Sequence, residues 1–371
     1  MHRVGGSLLS LNNDLAHPLH AFARAMPKVE LHLHLEGSIT PETALALARR
    51  HDVTLPADDP AGLQDWFRFR DFRHFVQVYL ALSDLLRAPD DFRFIVVELA
   101  RELARQNVRY AEVTFTAYTH LWQGKGLTPD DLIAGLDAGR AEASDRFGVE
   151  LAWIIDIPRN LSFDPQTGRY TGAASDPTVE MALTWKDRGV VALGLGGHEI
   201  GAPPEPFALA FDRARAGGLH SVPHAGEHVG PEGVWGAIRA LRAERIGHGV
   251  RAIEDPELVG YLVEHQIPLE LNPTSNIRLG VYPDYASHPL PRFWDAGAFV
   301  TVNSDDPPLF NTTLNQEYHA LVDAFGFGVE DLERVSLNAL RASFLPEARK
   351  AGLEAEFRAA FRHLRSDLGL L

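Results

Sequence analysis

Eight short runs rich in apolar and β-branched residues recur along the chain, each followed by a longer stretch, and this alternation restricts the fold more than any other feature. The runs are Val29–Leu35, Val108–Phe115, Val149–Ile157, Val190–Leu195, His220–His224, Arg245–Gly249, Pro268–Leu271 and Phe299–Asn303. Several are apolar almost throughout, such as Leu151-Ala-Trp-Ile-Ile155, which is the pattern of parallel strands covered on both faces. Between them, Asp130–Arg146, Pro231–Arg242 and Pro256–His265 carry apolar residues at helical spacing. Strands alternating with helices eight times over predict an α/β fold, a (β/α)8 TIM-type barrel.

The first connection breaks the rhythm. About 70 residues separate the first two strands, where an ordinary connection of this kind takes a few. They contain helical stretches around Thr43–Arg50, Phe72–Leu86 and Asp91–Gln106, and Thr40-Pro41-Glu42 is a good helix start, with Thr as cap and Pro at the first position. An insertion after a barrel strand falls over the C-terminal face, so this one is expected to form a helical lid. Residues 1–25 read as an N-terminal extension with a short helix near Leu19 to Arg24, and 26–371 as one barrel domain.

Composition narrows the chemistry. Lys plus Arg total 35 against 50 Asp plus Glu, a net charge of −15, so sequence-independent binding to a nucleic-acid backbone is disfavoured. There is no cysteine, which removes disulfides and thiolate metal sites. It also excludes the zinc deaminases that use Pro-Cys-x-x-Cys on cytosine or on bases in nucleic acid. No apolar run approaches a membrane span, and the N-terminus makes a poor signal peptide. The expectation is a cytoplasmic protein without a membrane partner.

Within the first strand, Val29-Glu-Leu-His-Leu-His-Leu-Glu-Gly37 sets His32 and His34 on one face, because strand side chains alternate. With 17 His in 371 residues, chance supplies roughly 0.8 such pairs per chain, so the pair needs partners. Three later motifs fall where a strand gives way to a loop: His224-Ala-Gly-Glu227, Gly247-His248-Gly249 and Asn303-Ser-Asp305-Asp306-Pro307. Barrel strands usually supply catalytic residues from that end. His32, His34, His224 and Asp305 together offer three imidazoles and a carboxylate, a set that suits one zinc ion with a position left for water. Glu227 and His248 remain as proton-transfer groups. Taken singly, His224 and His248 also read as buried histidines with satisfied hydrogen bonds, and Asp305-Asp306-Pro307 as a helix-start turn. None of the four lysines, Lys28, Lys125, Lys186 and Lys350, ends a central strand. That favours a single metal over a pair bridged by a modified lysine.

These motifs, with Pro27-Lys-Val-Glu-Leu-His-Leu-His-Leu-Glu-Gly37, Arg245-Ile-Gly-His-Gly249 and Asn272-Pro-Thr-Ser-Asn276, resemble the adenosine deaminase family of the amidohydrolase superfamily, in that family's order. The resemblance runs from about Pro27 to the mid-340s. It implies a zinc-dependent barrel with His32, His34, His224 and Asp305 as ligands. It makes Glu227 the acid that protonates purine N1, and His248 the residue that orients and helps deprotonate the attacking water. Asp306 would hold the purine near N7, and the Gly197 N–H would meet N3. The implied reaction is hydrolysis of the 6-amino group of adenosine or deoxyadenosine, giving inosine or deoxyinosine and ammonia.

Glu36 stands where adenosine-specific members carry an Asp that contacts the ribose 5′-hydroxyl. Gly194-Leu-Gly-Gly-His-Glu-Ile-Gly201 and Asn303-Ser-Asp-Asp-Pro-Pro308 look more like the branch that deaminates 6-amino-6-deoxyfutalosine, an adenine nucleoside with a 5′ aromatic extension, in menaquinone synthesis. Thr114-Phe115-Thr116-Ala117 departs from the Arg-containing second strand of adenosine enzymes. That nucleoside and free adenine are therefore the alternative substrates. A hydrolase of amide or phosphoester bonds and a non-catalytic purine-binding protein are the readings from other classes. Retention of Glu227 and His248 speaks against both.

Overall fold

The computed structural model describes residues 17–370. Eight strands pair in parallel and in chain order, from β1 to β8. They are β1 (Lys28–His34), β2 (Val108–Phe115), β3 (Glu150–Pro158), β4 (Val190–Gly196), β5 (His220–Ala225), β6 (Ile246–His248), β7 (Leu269–Leu271) and β8 (Val300–Val302). Every expected strand is present, and most boundaries move by a residue or two; Lys28 opens β1 rather than preceding it. Beyond β8 the chain returns to β1 at the level of the expected site. Leu33 bridges Asp305, His34 N–H donates to Asp305 O at 3.0 Å, and Asp305 N–H donates to His32 O at 3.1 Å. Lower down, the Asn303 side chain accepts from Leu31 N–H at 2.9 Å. A polar side chain thus takes the place of a ladder bond where β8 is short, which is how the buried donor is satisfied. The result is a (β/α)8 barrel.

The helices follow their sequence signals. An opening α1 (Pro18–Ala25) covers the expected short helix, while residues 1–16 of the extension lie outside the described residues. Phe22 and Ala23 of α1 are fully buried and Phe22 lies against Phe361, so this turn is packed into the body instead of extending from it. The long first connection holds α2 (Pro41–Arg50), α3 (Pro60–Phe67), α4 (Phe72–Ser83) and α5 (Pro89–Arg105). The hydroxyl of Thr40 caps α2. Downstream come α6 (Ala117–Trp122), α7 (Pro129–Phe147), α8 (Ser175–Thr184), α9 (Ala208–Ala216), α10 (Pro231–Leu241), α11 (Pro256–His265) and α12 (Pro273–Arg278). No helix among the described residues is long and apolar enough to cross a membrane.

Candidate active site

The C-terminal ends of the strands converge on one polar cluster. From β1, His34 Nε2 lies 3.2 Å from His224 Nε2 of β5. Asp305, just past β8, puts Oδ1 3.5 Å from His32 Nε2 and 3.4 Å from His34 Nε2. His248, at the end of β6, has its Nε2 3.8 Å from Asp305 Oδ2 and 3.7 Å from Glu227 Oε1. The structure therefore brings together all six residues expected for metal and proton chemistry, from four regions of the chain. His248 and Asp305 sit at φ +61° and +66°, a left-handed backbone that costs a non-glycine residue about 1–2 kcal/mol. Such strain at a polar cluster fits a functional constraint.

The donor set is the right kind for a divalent ion. His32 Nε2 is buried with no hydrogen-bond partner among the described residues, and the Nε2 atoms of His34 and His224 face each other at 3.2 Å. Burial holds His34 down at about 4 and, with help from the neighbouring histidines, His224 well below the ordinary range, so both rings are neutral. His32 goes the other way. Burial lowers it, but the Asp305 and Glu270 carboxylates outweigh that and draw it up to about 10. The spot between His32 and Asp305 therefore favours positive charge, as a metal site must. Asp305 is held well below its usual range by those histidines in spite of its burial. Its neighbour Asp306 is pushed well above, by burial and then by Asp305 itself.

Around this cluster lies a layer that the sequence reading did not single out. Glu270 accepts from His32 Nδ1 at 2.9 Å and from Arg245 Nε at 2.6 Å, which orients the ring and leaves Nε2 for the site. Arg245 also pairs with Glu112 at 2.6 Å. Ser275 donates to Asp305 Oδ2 at 2.6 Å. The amide nitrogens of Asn272 and Asn276 lie 3.3 and 3.2 Å from His248 Nδ1, so the Asn272–Asn276 motif serves to hold His248 and Asp305. Glu199, past β4, accepts four backbone N–H groups, from Gly226 (2.8 Å), Glu227 (2.9 Å), His228 (2.6 Å) and Val229 (3.0 Å). It ties down the loop that carries Glu227. Arg159 donates to His224 O at 2.5 Å and to Ala202 O at 3.0 Å. Glu227 itself pairs with His228 Nδ1 at 3.1 Å. Burial pushes the Glu227 carboxyl up, but His248 and His228 prevail and hold it below its usual range.

A cavity of about 650 Å³ opens over the cluster, in the range of small-molecule sites. His34, His224, Glu227, His248, Asp305, Asp306 and Gly197 all line it. Gly37 makes Asp306 possible, since a Cβ there would fall within the Asp306 carboxylate. From the insertion, α4 supplies an apolar wall with Phe72, Phe75, Val76 and Leu80. None of the four lysines lines the cavity. Glu36 is placed differently from expectation. Its carboxylate is fully buried, accepts from Thr116 N–H (3.2 Å) and Tyr79 OH (3.2 Å), pairs with His120 Nε2 (2.9 Å), and does not line the cavity. Tyr79 and Thr116, its partners, do. The Glu36 carboxylate is thus turned to protein donors and not to the cavity.

A parallel barrel with histidines and an aspartate gathered at its C-terminal mouth as a candidate metal site, beside Glu227 and His248, has the form of a hydrolase of the amidohydrolase superfamily. The chain belongs to the adenosine deaminase family, whose model matches residues 27–360, and it is a deaminase. It is 44% identical over 340 residues to an aminodeoxyfutalosine deaminase of Streptomyces avermitilis, covering 91% of this chain and 92% of that protein. The crystal structure of an adenine deaminase from Arthrobacter aurescens superposes with a TM-score of 0.83 at 32% identity, over 90% of this chain and 99% of that one. A zinc-bound amidohydrolase from Burkholderia ambifaria gives 0.85 at 28% identity, over 100% and 98%. The first two of these are deaminases of aminodeoxyfutalosine and of adenine. Adenosine specificity, expected first from the sequence, gives way to the two alternatives.

Proposed function

We propose that this chain is a zinc-dependent aminohydrolase that removes the 6-amino group of 6-amino-6-deoxyfutalosine. The observation that carries the reading is the cavity lined by the His34, His224 and Asp305 donors together with Glu227 and His248, with His32 grouped against His34 and Asp305 beneath it. The substrate choice is supported by the 44% identity to the Streptomyces avermitilis deaminase and by the apolar wall of α4, which suits a 5′ aromatic extension better than a bare purine does. Free adenine is the second reading, favoured by the likeness to the Arthrobacter aurescens enzyme. With substrate bound, α4 acts as the lid.

In this reading His32, His34, His224 and Asp305 would hold one zinc ion. When bound, such an ion is a Lewis acid that brings the pKa of water towards neutrality. His248, held by Asn276 and by an Asn272 amide turned so that its oxygen accepts from Nδ1–H, has Nε2 free to take the proton from the water that adds to C6. Glu227 gives a proton to N1, removing the negative charge that the addition would leave on the ring. Glu227 starts as a carboxylate, but a ring nitrogen placed against it in a water-free cavity favours its protonated form. Asp306 sits at N7 and the Gly197 N–H at N3, orienting the purine. The C6–N bond then breaks, ammonia leaves with the transferred proton, and the 6-oxo product remains.

Zinc-loaded protein should release ammonia from 6-amino-6-deoxyfutalosine, with adenosine, deoxyadenosine and adenine compared alongside. Glu227→Gln should retain metal and lose at least about 100-fold in kcat, the usual contribution of a positioned acid. Failure to deaminate any 6-aminopurine would refute the proposal.

A further inference from the structure

One buried carboxylate in the cavity has no task in the chemistry above. Asp156, near the C-terminal end of β3, is almost fully buried yet lines the cavity, and its Oδ1 has no hydrogen-bond partner among the described residues. A buried acceptor left unmade costs about 1–3 kcal/mol, and native proteins rarely carry one without a ligand or water to satisfy it. Structure has been arranged around it. Asp156 faces Gly194 across the β3–β4 ladder. A Cβ on Gly196 would collide with Asp156 Oδ2, and one on Gly194 would lie 2.9 Å from Asp156 Cβ. The glycines of β4 therefore leave room for this side chain. No cation neutralises it by direct pairing among the described residues, and Arg159, the nearest buried candidate in sequence, is turned to the carbonyls of Ala202 and His224. Burial lifts the carboxyl to about 7, opposed by the Thr116 hydroxyl and reinforced by Glu36.

The position of Asp156 in the barrel indicates what it meets. The metal donors come from β1, β5 and the end of β8, Glu227 follows β5, and Gly197 follows β4. A purine held by Glu227, Gly197 and Asp306 thus spans the mouth from β4 and β5 across to the end of β8. The sector over β2 and β3 is left for whatever the purine carries. That sector presents Thr116, Tyr79 and Asp156. Of the two carboxylates there, Glu36 is already saturated by protein donors, and only Asp156 has an acceptor to spare.

We infer that Asp156 accepts a hydroxyl of the sugar, so that the cavity selects a ribonucleoside over a free base. The inference rests on the purine-deaminase reading above and assigns Asp156 a role in specificity. It predicts discrimination at the 2′- or 3′-hydroxyl, since a site built to bond a hydroxyl rejects the analogue that lacks it.

The test uses the full zinc-loaded chain and compares wild type with Asp156→Asn, Asp156→Ala and Gly196→Ala. Deamination is measured on adenosine, 2′-deoxyadenosine, 3′-deoxyadenosine and adenine. In wild type, kcat/KM should favour adenosine over at least one deoxy analogue, and over adenine, by tenfold or more. In all three variants those ratios should collapse to within about threefold. A merely structural role would lower all substrates together and leave the ratios standing, which would overturn the inference, as would a wild type indifferent to both hydroxyls. If wild type turns over no aminopurine, the deaminase reading fails. Calorimetric binding of inosine against its 2′- and 3′-deoxy forms then decides for Asp156. A preference lost in Asp156→Asn supports it, and a preference that is absent or unchanged overturns it.

Discussion

Replacing Glu199 by Gln should disable the enzyme without touching the cluster of histidines. Glu199 Oε2 accepts from the N–H groups of Glu227, His228 and Val229, and Oε1 from that of Gly226. All four are donors, so only an acceptor-only group satisfies them. A Gln can keep its carbonyl where Oε2 stood, but its amide then faces the Gly226 N–H donor to donor. That orphaned bond costs about 1–3 kcal/mol, and each of the other three weakens by about 1 kcal/mol as the charge is lost. Relief from burying a charge offsets part of this, leaving a net loss of about 3 kcal/mol. For 371 residues, an unfolding entropy near 2.1 cal/mol/K per residue gives about 0.8 kcal/mol/K, so Tm should fall by about 4 °C. The larger effect is on catalysis. The freed loop carries Glu227, and a displacement of about 1 Å in a reacting group can cost about 100-fold. Thermal unfolding, metal content and kcat/KM on the preferred 6-aminopurine measure the three quantities. Metal content should match wild type, because none of the ligands bonds to Glu199. A variant with a Tm within 1 °C and a kcat/KM within threefold of wild type would show that Glu199 does not position Glu227.

Gly37→Ala places a methyl group inside the Asp306 carboxylate; Asp306 must move, and kcat/KM should drop about 100-fold for an overpacking cost of about 1–3 kcal/mol. Steady-state kinetics on metal-replete protein check this, and unchanged kcat/KM would mean that Asp306 does not position substrate. His288 is held neutral in the interior, its Nδ1 accepting from Leu290 N–H at 3.2 Å and its Nε2 facing Asn276 Oδ1 at 3.1 Å, and burial lowers it to about 3. Its folded value lies below the unfolded one near 6.5, so its contribution is complete above that pH. It is lost on acidification towards pH 3, at about 1.4 kcal/mol per pH unit. Urea unfolding of His288→Gln between pH 6.5 and 4 should show a correspondingly shallower slope than wild type, and equal slopes would contradict the assignment.

The barrel was legible because its strands are buried on both faces. Such strands must be nearly all apolar, and runs such as Leu151–Ile155 stand out from the helices around them. The candidate metal donors stood out for the opposite reason: His32 and His34 interrupt an apolar strand at a spacing that puts both on one face, and His224 and Asp305 fall where strands give way to loops. The long first connection was visible by length alone, although α3 was not, since its 8 residues carry too short a period to read. Where the Glu36 carboxylate lies was not legible, because sequence gives a residue type at a position and not its reach. One more methylene takes the carboxylate to His120, 84 residues away, and out of the cavity.

What escaped was the supporting layer, and a signal for it was present. Leu269-Glu270-Leu271 and Ala111-Glu112-Val113 each set one carboxylate between apolar strand neighbours, and Arg245 opens another run. In a strand covered on both faces, an isolated charge has to be paired or bound to something. Glu112 and Glu270 are resolved by Arg245 and His32. Glu30 is resolved by the backbone and hydroxyl of Ser304. Asp156, in Ile155-Asp156-Ile157, carries the same signal on β3. The fold supplies it with room, by way of Gly194 and Gly196, but with no donor for Oδ1. The rule that accounts for the other charges by protein partners accounts for this one only if the partner arrives with the substrate.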